Sequence, residues 1–569
     1  MQQALAHRGP DDKGAFFSPS NNAALTHTRL SIIDLSSGGH QPMSCQKQRY
    51  TITYNGEIYN YKKLRTQLEL EGEKFKSDSD TEVILKLFVN KGPACVQLLR
   101  GMFAFLIWDE QEQKAFAARD ALGIKPFYYL KSGGSFVFAS EVRSVLASGF
   151  SSKKISGRGI MSYLLKGTIA EPDTAIKNIK MLPAGTYLTW ENGKSKLQRF
   201  WSIDFSLKHY SRSKAIETTR TALEHSVRAH LVGDVPIGIF LSGGIDSTAL
   251  VAIATKISKK PINTYSIAFE SNEWNEGDIA KRVADHFGTN HTELLMTPEI
   301  AKPLFKQFLA DIDQPTIDAF NTYCVSKLAS ENGEKVVLSG LGGDELFAGY
   351  ASFDVIPEMM RKNRLISKAR FLTKPLSKWF HKTMNPRQRR ISDAVNNPNS
   401  LSAAYQSFRG IFSISEAYEL TNLFCKKVPK ELAVVEPNHA YTADNISHLE
   451  LSNYLRNQLL RDSDVASMAW GLELRVPFID RVFIEQISAI SADLRLKKGK
   501  KLLIDSVPEL PDWVVKRPKQ GFRFPFDDWF ASSWASMPMP STPRWIPLTP
   551  WYRRWSLIVL SDWKKRYAK

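Results

Sequence analysis

The sequence predicts an α/β protein in two parts: an α+β N-terminal part, followed by a parallel, doubly wound sheet. Up to about residue 200, short apolar or alternating runs separated by turns indicate sheets covered by a few helices. From about residue 235, strand-like runs alternate with helical ones, which is typical of a parallel sheet with ligands at the carboxyl ends of its strands. Two glycine-rich turns each follow one of these strands, so we expect both at that edge.

The composition is that of a soluble globular protein. With 569 residues, 43% hydrophobic and 24% charged, the chain is long enough for two or three domains. No apolar run approaches the ~18–20 residues that a membrane helix requires, and Met1–Leu5 has neither the basic nor the apolar part of a signal peptide. Cys45, Cys95, Cys324 and Cys425 lie too far apart for a disulfide framework or a zinc site, so we expect a cytoplasmic protein.

The net charge of +18 is compatible with nucleic acid, an anionic membrane surface or polyanionic substrates as partners. Much of the charge is local, in Arg361–Arg364 and in Pro386–Arg390. Between Trp545 and Trp563, basic residues are interleaved with tryptophans, an arrangement also found at membrane interfaces. We favour the alternative, solvated helix faces with packed aromatic residues, and we expect no nucleic-acid partner.

Hydrophobic periodicity places the individual elements. In the first part we expect strands at Arg29–Leu35, Tyr50–Tyr54, Met102–Trp108, Lys114–Ala118, Pro126–Leu130 and Ser135–Ala139, and helices at Ile58–Leu70 and Thr81–Phe88. In the second part we expect strands at Val235–Leu241, Ile262–Phe269, His291–Met296 and Lys335–Leu338, with helices at Lys214–Leu231, Thr248–Ile257 and Glu276–Phe287. Beyond about residue 350 the chain is predicted to be mostly helical, and the last thirty residues are left unassigned.

The first glycine-rich turn, Ser242–Ser247, has the composition of an anion cradle. Its glycines let backbone N–H groups approach a phosphate, and the following helix adds the positive end of its dipole. It is not a Walker A loop, because no Gly-Lys-Ser/Thr follows. A turn that only packs a helix on a sheet is the alternative. The second turn, Ser339–Glu345, follows another strand of the same predicted sheet.

Ten stretches spread over nearly the whole chain together resemble the glutamine-dependent asparagine synthetases. They are His7–Asp11, Arg29–Asp34, Gly39–Pro42, Asn55–Asn60, Ser79–Glu82, Arg119–Asp120 with Gly123–Pro126, the two glycine-rich turns, Ser467–Ala469 with Glu473–Asp480, and Arg517–Phe522. The resemblance implies an N-terminal-nucleophile glutaminase of αββα architecture at residues 1–205. It also implies a Rossmann-like ATP-pyrophosphatase (PP-loop) domain at residues 206–569.

For the first domain, the resemblance implies a glutamine site. Asn55 and Gly56 would form the oxyanion hole, Arg29 would hold the glutamine carboxylate, and Glu57 and Asp80 would hold its amino group. Without the family, a hairpin turn is the simpler interpretation of Asn55–Gly56.

The family nucleophile is an N-terminal cysteine after Met, and this sequence opens at what resembles a point a few dozen residues further on. Cys45 and Cys95 are internal and have no free α-amine. We therefore expect that the chain as given does not hydrolyse glutamine, and that a misplaced start or a true truncation explains its opening.

For the second domain, the resemblance implies that ATP activates a carboxylate as an acyl-adenylate. The residues implied to bind ATP are Leu241, Ser242, Gly243, Gly244, Asp246, Ser247, Ile267, Ser339 and Gly340. Asp246 and Asp344 would hold Mg²⁺, and Lys519 would stabilise charge on the transferring phosphate. The alternative role of the two aspartates is helix N-capping. The alternative for the lysine is a solvated position on the surface.

Leu341 stands where many asparagine synthetases carry a glutamate that is tied to forming the aspartyl-adenylate. Despite this departure, the resemblance implies asparagine as the product, made from aspartate and either glutamine or ammonia. Two alternatives stay open: a related ligase that acts on another carboxylate, such as a sugar acid or the substrate of a β-lactam synthetase, and an inactive truncated relic. A homodimer is compatible with the resemblance.

Overall fold

The structure is a computed structural model that describes residues 1–45, 48–205, 208–270, 276–368, 384–429, 432, 435–519 and 524–568. Residues 1–205 are called the N-terminal region here, and residues 208–568 the C-terminal region. The predicted domain boundary falls at residues 206 and 207, which lie outside the described ranges. No helix in the described ranges is long and apolar enough to cross a membrane.

In its described residues, the N-terminal region consists of antiparallel strands and four α-helices. The strands are β1 (Asp12–Phe17), β2 (Ala24–Arg29), β3 (Met43–Cys45), β4 (Tyr50–Ile58), β5 (Gly101–Asp109), β6 (Lys114–Arg119), β7 (Tyr128–Ser132), β8 (Ser135–Ala139), β9 (Ile179–Met181), β10 (Thr186–Glu191) and β11 (Lys194–Arg199). They form a six-stranded sheet in the order β11-β10-β6-β5-β4-β3, a three-stranded sheet β8-β7-β9 and the pair β1-β2. The helices are α1 (Tyr61–Leu70), α2 (Asp80–Lys91), α3 (Val142–Ala147) and α4 (Gly157–Lys166).

Strand β5 shows why these elements form layers. Its residues Phe103, Phe105 and Ile107 pack in one core with the apolar faces of α1 and α2. The alternate residues Leu106 and Trp108 pack in another core, with side chains from the second layer of strands. Because both faces are covered, the strand is apolar at nearly every position rather than alternating. With α3 and α4 packed on β7 and β8, the order of layers is α, β, β, α, as predicted.

The C-terminal region is built on a five-stranded parallel sheet in the order β14-β13-β12-β15-β16. Its strands are β12 (Ile237–Phe240), β13 (Asn263–Ala268), β14 (Asn290–Leu295), β15 (Val336–Leu338) and β16 (Glu473–Arg475). Helix α5 (Arg212–His230) precedes the first of these strands, and further along the chain follow α6 (Ile245–Ile257), α7 (Gly277–Phe287), α8 (Pro298–Asp311), α9 (Phe320–Glu331) and α10 (Gly343–Leu346). The predicted alternation of strands and helices, and the Rossmann-like sheet, are confirmed.

The rest of the C-terminal region is helical, as predicted. Its helices are α11 (Ser352–Lys368), α12 (Pro386–Val395), α13 (Leu401–Arg409), α14 (Ile414–Asn422), α15 (Thr442–Leu449), a π-helix (Glu450–Leu460), α16 (Arg461–Met468), α17 (Arg481–Ser488), α18 (Ala492–Arg495), α19 (Lys501–Ser506), α20 (Asp512–Val515), α21 (Phe526–Ala531) and α22 (Trp551–Tyr567). The unassigned end of the sequence thus contains a long helix, α22. Its Trp555 and Trp563 are fully buried, as expected for packed aromatic residues.

The predicted strand Arg29–Leu35 is wrong. The strand is β2, which ends at Arg29, and a loop follows it. Ile32 and Ile33 are both buried although they are adjacent, which an extended strand with one solvated face does not allow. The hairpin-turn interpretation of Asn55–Gly56 is also wrong, because both residues lie inside β4 and pair with β5.

Candidate functional site

The first glycine-rich turn joins β12 to α6. Gly243 has φ +70°, and a Cβ there would lie 2.6 Å from Ile279 Cγ2, so the turn requires glycine. The hydroxyl oxygens of Ser242 and Ser247 are 3.1 Å apart, and the backbone N–H of Gly244 donates to Ser242 Oγ over 3.4 Å. Hydroxyl and backbone N–H groups therefore converge at the start of α6, which is the arrangement expected of an anion cradle.

The second glycine-rich turn lies in contact with the first. A Cβ on Gly340 would be 3.0 Å from the backbone nitrogen of Ser247, and one on Gly343 would be 2.4 Å from Asp246 Oδ1. The two turns follow β12 and β15, which are neighbours in the sheet. The structure thus brings together the two loops that the sequence placed at one edge.

Two carboxylates and two ammonium groups meet between these turns. Lys500 Nζ lies 2.5 Å from Asp246 Oδ2 and 2.5 Å from Asp344 Oδ1. Lys519 Nζ pairs with the same oxygen of Asp344 and lies 4.3 Å from the ring centroid of Tyr350. Asp246, Asp344 and Lys519 are therefore neighbours, as the resemblance implied.

Lys500 is a site residue that the sequence reasoning missed. It is 254 positions from Asp246 in the chain, and it stands among other lysines in Lys497–Lys501, a run that reads as a solvated basic stretch. Its side chain is only 7% exposed. Gly499, directly before it, indicates a turn in the sequence. In the structure Lys500 has φ +57° at the start of α19.

The charges shift one another's pKa values. Burial alone would raise the pKa of Asp344, but Lys500 and Lys519 outweigh it and lower the pKa below its usual value. At Asp246 burial prevails over Lys500, so the pKa is raised. Burial lowers the pKa of Lys519. Burial would also lower the pKa of Lys500, but the two carboxylates overcome it and raise that pKa, so Lys500 is a cation at every physiological pH.

The residues expected to enclose adenosine lie at the carboxyl ends of three adjacent strands. Leu241 and Ser339 directly follow β12 and β15, and Ile267 is near the end of β13. Leu241 and Ile267 are buried. Leu341, in the second turn, is half-buried and packs against the apolar core of the sheet.

The predicted glutamine-site residues line one cavity of about 1020 Å³ in the N-terminal region. Asn55 and Gly56 reach it from β4. Asn55 Nδ2 is buried and has no hydrogen-bond partner among the described residues. Gly56 has φ +146°, and a Cβ there would lie 2.0 Å from the carbonyl oxygen of Met102. An unpaired amide donor beside the cavity is what an oxyanion hole requires.

Arg29 reaches the cavity from the end of β2, and backbone carbonyls fix its guanidinium. It donates to the carbonyl oxygens of Ser36 over 3.0 Å and of Ile33 over 3.2 Å, and also to that of Asp34. The loop after β2 therefore determines where the guanidinium points.

Asp80 and Glu57 already make contacts within the protein. Asp80 accepts hydrogen bonds from the hydroxyl of Tyr54 over 2.9 Å and from the backbone N–H of Ile58 over 3.0 Å. Burial nevertheless raises the pKa of Asp80 to about 6. Glu57 Oε1 lies 3.4 Å from Arg475 of β16, its Oε2 lacks a partner among the described residues, and burial raises its pKa well above the usual range. Glu57 thus connects the cavity to the C-terminal region.

Buried ion pairs hold the two regions together behind the cavity. Arg8 contacts Glu141 over 3.0 Å and Asp464 over 2.7 Å, and Lys125 lies 3.4 Å from Glu473 and 3.7 Å from Asp464. Arg8 and Lys125 belong to the stretches that carry the resemblance, but no role could be assigned to these two residues from the sequence. Their partners are more than three hundred positions away in the other region, except for Glu141.

Comparisons with known proteins match both regions. Residues 1–201 match the family model described as "Glutamine amidotransferase domain", and residues 218–537 match "Asparagine synthase". The chain is 32% identical over 549 residues to asparagine synthetase [glutamine-hydrolyzing] 1 of Bacillus subtilis, covering 93% of this chain and 84% of the relative. It is 37% identical over 375 residues to putative asparagine synthetase [glutamine-hydrolyzing] 2 of Methanocaldococcus jannaschii, covering 62% and 72%.

One solved structure, a glutamine phosphoribosylpyrophosphate amidotransferase from B. subtilis, is 15% identical and covers 59% of this chain and 77% of its own. Its TM-score of 0.27 is too low to add to the description of the fold. The two family models and the similarity over most of the length of these relatives are sufficient to assign the family. This chain belongs to the asparagine synthetase family and is a ligase of that class.

Proposed function

We propose that this chain uses ATP to join ammonia to a carboxylic acid, with aspartate as acceptor and asparagine as product. The observation that carries the proposal is the meeting of the two glycine-rich turns with Asp246, Asp344, Lys500 and Lys519 at the carboxyl edge of the parallel sheet. The printed names of the relatives, which are glutamine-hydrolysing asparagine synthetases, support the choice of acceptor.

The chemistry requires activation because a carboxylate has no adequate leaving group. Attack of the carboxylate on the α-phosphorus of ATP forms an acyl-adenylate and releases pyrophosphate, and ammonia then displaces AMP. The protein contributes position and neutralisation of charge. The backbone N–H groups of the first turn and the hydroxyls of Ser242 and Ser247 would bind the pyrophosphate oxygens, while Leu241, Ile267, Ser339 and Gly340 would enclose adenosine.

A Mg²⁺ ion fits the same place. Asp246 Oδ1 is buried and has no hydrogen-bond partner among the described residues, so an oxygen ligand is available next to the cradle. No group of three or more His, Cys, Asp or Glu side chains in the described part of the chain could hold a metal ion alone. Asp246 and Asp344 would therefore share the ion with phosphate oxygens and water, where it would neutralise phosphate charge.

The two lysines suit different roles. Lys519 is 44% exposed, so a bound nucleotide can reach its ammonium group and draw it from Asp344 to the transferring phosphate. Lys500 is buried between both carboxylates and keeps them close together without a ligand. Each lysine lowers the cost of bringing several negative charges to one site.

Glutamine is the proposed ligand of the N-terminal region. The cavity lined by Arg29, Asn55, Glu57 and Asp80 offers a cation for the glutamine carboxylate, carboxylates for its ammonium group and the unpaired Asn55 donor for its amide oxygen. It opens beside the buried ion pairs that lead to the C-terminal region.

The test is aspartate-dependent exchange between ATP and labelled pyrophosphate. Asp246→Asn and Asp344→Asn should each lower the exchange rate by more than ~100-fold, because a catalytic electrostatic contact of this kind is worth roughly 3–4 kcal/mol. Asp512→Asn, which removes only an exposed ion pair with Lys516, is the matched control and should keep the wild-type rate. Unchanged exchange in both site variants would disprove the assignment.

A further inference from the structure

The loop that follows β2, residues Leu30–Gly39, controls the position of Arg29. Three of its carbonyl oxygens, those of Ile33, Asp34 and Ser36, accept hydrogen bonds from the guanidinium. A change in the path of this loop would therefore move or release the side chain expected to hold the glutamine carboxylate.

The loop contains a strained residue. Asp34 has φ +54°, a left-handed conformation that is uncommon outside glycine, although aspartate adopts it more readily than most residues, and here hydrogen bonds hold it in place. Its carboxylate accepts from the backbone N–H groups of Ser36 over 3.1 Å and of Asp78 over 3.0 Å. Its own backbone N–H donates to Asp234 Oδ2 over 2.9 Å.

Asp234 belongs to the other region of the chain. It lies in the turn between α5 and β12, and its backbone N–H donates to the carbonyl oxygen of Ile32 over 3.0 Å. The contact is thus reciprocal: Asp234 accepts from one residue of the loop and donates to another.

A second contact ties the beginning of the loop to the same sheet. Asp11 Oδ2 accepts from the backbone N–H of Ser31 over 2.7 Å and from Lys335 Nζ over 2.8 Å, and Lys335 directly precedes β15. The loop therefore rests on the amino ends of β12 and β15. The carboxyl ends of those two strands carry the glycine-rich turns.

We propose that Asp234 is a positioning residue for glutamine recognition. Its carboxylate oxygen, supplied by the C-terminal region, holds Asp34 in its strained conformation, and Asp34 and its neighbours hold Arg29. The inference rests on the proposed binding of glutamine in the cavity of the N-terminal region. Asp234 is exposed and packs in none of the apolar cores, so replacing it should alter the loop without unfolding the protein.

The experiment compares full-length Asp234→Ala and Asp234→Asn with the wild type. Glutamine binding is measured by calorimetry, and backbone hydrogen exchange is measured over residues 31–39. Losing a hydrogen bond to a charged acceptor should weaken glutamine binding about tenfold in the alanine variant and speed exchange in the loop. The asparagine variant keeps an acceptor oxygen and should bind within about threefold of the wild type.

Two further measurements separate a positioning role from a general loss of structure. Aspartate-dependent ATP–pyrophosphate exchange and the midpoint of urea unfolding should match the wild type in both Asp234 variants. Asp512→Ala, which loses one exposed ion pair elsewhere, is the matched control for all assays.

The possible results are distinct. Equal glutamine affinity in the wild type and Asp234→Ala would overturn the positioning role, as would equal weakening in the asparagine variant. If the wild type binds no glutamine, the proposed glutamine site fails and the inference fails with it. If glutamine affinity changes as expected but the wild type catalyses no exchange, the proposed ligase reaction fails and the positioning role stands.

Discussion

At the scale of single residues, we propose that Leu341 influences which acceptor acid is used. It lies in the second glycine-rich turn, half-buried against the core of the sheet, and it can neither accept a hydrogen bond nor carry charge. We expect Leu341→Glu to raise kcat/KM for aspartate relative to larger, less polar acids, because one polar contact at a site built for it can change discrimination by ~10⁴–10⁵. The measurement is ATP–pyrophosphate exchange across a panel of carboxylic acids.

Leu341→Met keeps the volume and apolar character of the side chain and serves as the control, with an unchanged order of acids. Brisk wild-type exchange with aspartate that Leu341→Glu does not alter would show that this position does not select the acceptor.

We expect the proposed binding of glutamine beside Asp80 to depend on pH. Burial raises its pKa to about 6, above its value in an unfolded chain. Only the ionised carboxylate attracts the ammonium group of glutamine, so affinity should be full well above pH 6 and fall as the pH drops through 6, approaching about tenfold per pH unit below it. Calorimetric titrations between pH 5 and pH 8 would show it.

In Asp80→Asn the affinity should be low at every pH and the slope around pH 6 should disappear. A slope that persists in this variant would assign the titration to another group.

Positions in the candidate site were predictable where a short stretch carries the residues, as in Ser242–Ser247. They were not predictable for Lys500, because its role depends on burial between two aspartates that are distant in sequence. Nor could sequence show that Glu57 contacts Arg475 across the two regions. Such contacts arise when whole helices and strands pack together, and a local sequence pattern does not predict that packing.

At the scale of elements, α22 is a packed helix whose tryptophans serve as core residues. Trp563 is fully buried, and its Nε1 donates to the carbonyl oxygen of Asp313 over 2.9 Å. Trp563→Ala should lower the free energy of unfolding by about 3–5 kcal/mol, because it removes a large buried ring and leaves a cavity. Urea unfolding followed by circular dichroism measures the change.

Leu70→Ala is the control for that measurement, since Leu70 is 85% exposed at the end of α1 and should change stability by less than about 0.5 kcal/mol. A Trp563→Ala protein as stable as this control would mean that α22 contributes little to the fold.

The central strands were predicted to within a few residues because they are short, continuous apolar runs between turns. The strand was predicted too far along the chain because Leu30, Ile32 and Ile33 are apolar. They are apolar not because they form a strand but because the loop is buried where it meets the C-terminal region. The helix α22 was not predicted because its apolar residues surround it rather than line one face, which leaves little helical periodicity.

At the scale of the whole molecule, Arg8 links the two regions. It is 5% exposed and pairs with Glu141 of its own region and Asp464 of the other. Arg8→Ala should lower the free energy of unfolding by about 3–5 kcal/mol, because it leaves the buried Asp464 without its closest cation and removes one of the cations that contact Glu141. Denaturation monitored by fluorescence would detect the loss, and a second transition would appear if the regions then unfold separately.

Arg158→Ala removes an ion pair with Asp173 in which the arginine is 54% exposed, and it should cost less than about 1 kcal/mol. Equal stability of the Arg8 and Arg158 variants would show that the buried pairs do not hold the regions together.

The position of α22 also bears on how the protein is made. Its residues contact both regions: Tyr163 of α4 donates to the carbonyl of Ser556, and Trp555 donates to that of Thr316. Because a chain emerges from the ribosome with its N-terminal part first, the surfaces that α22 covers stay exposed until nearly all of this sequence has been translated. Nascent chains should therefore need chaperone protection late in synthesis, and ribosome stalling before residue 551 should yield aggregation-prone intermediates.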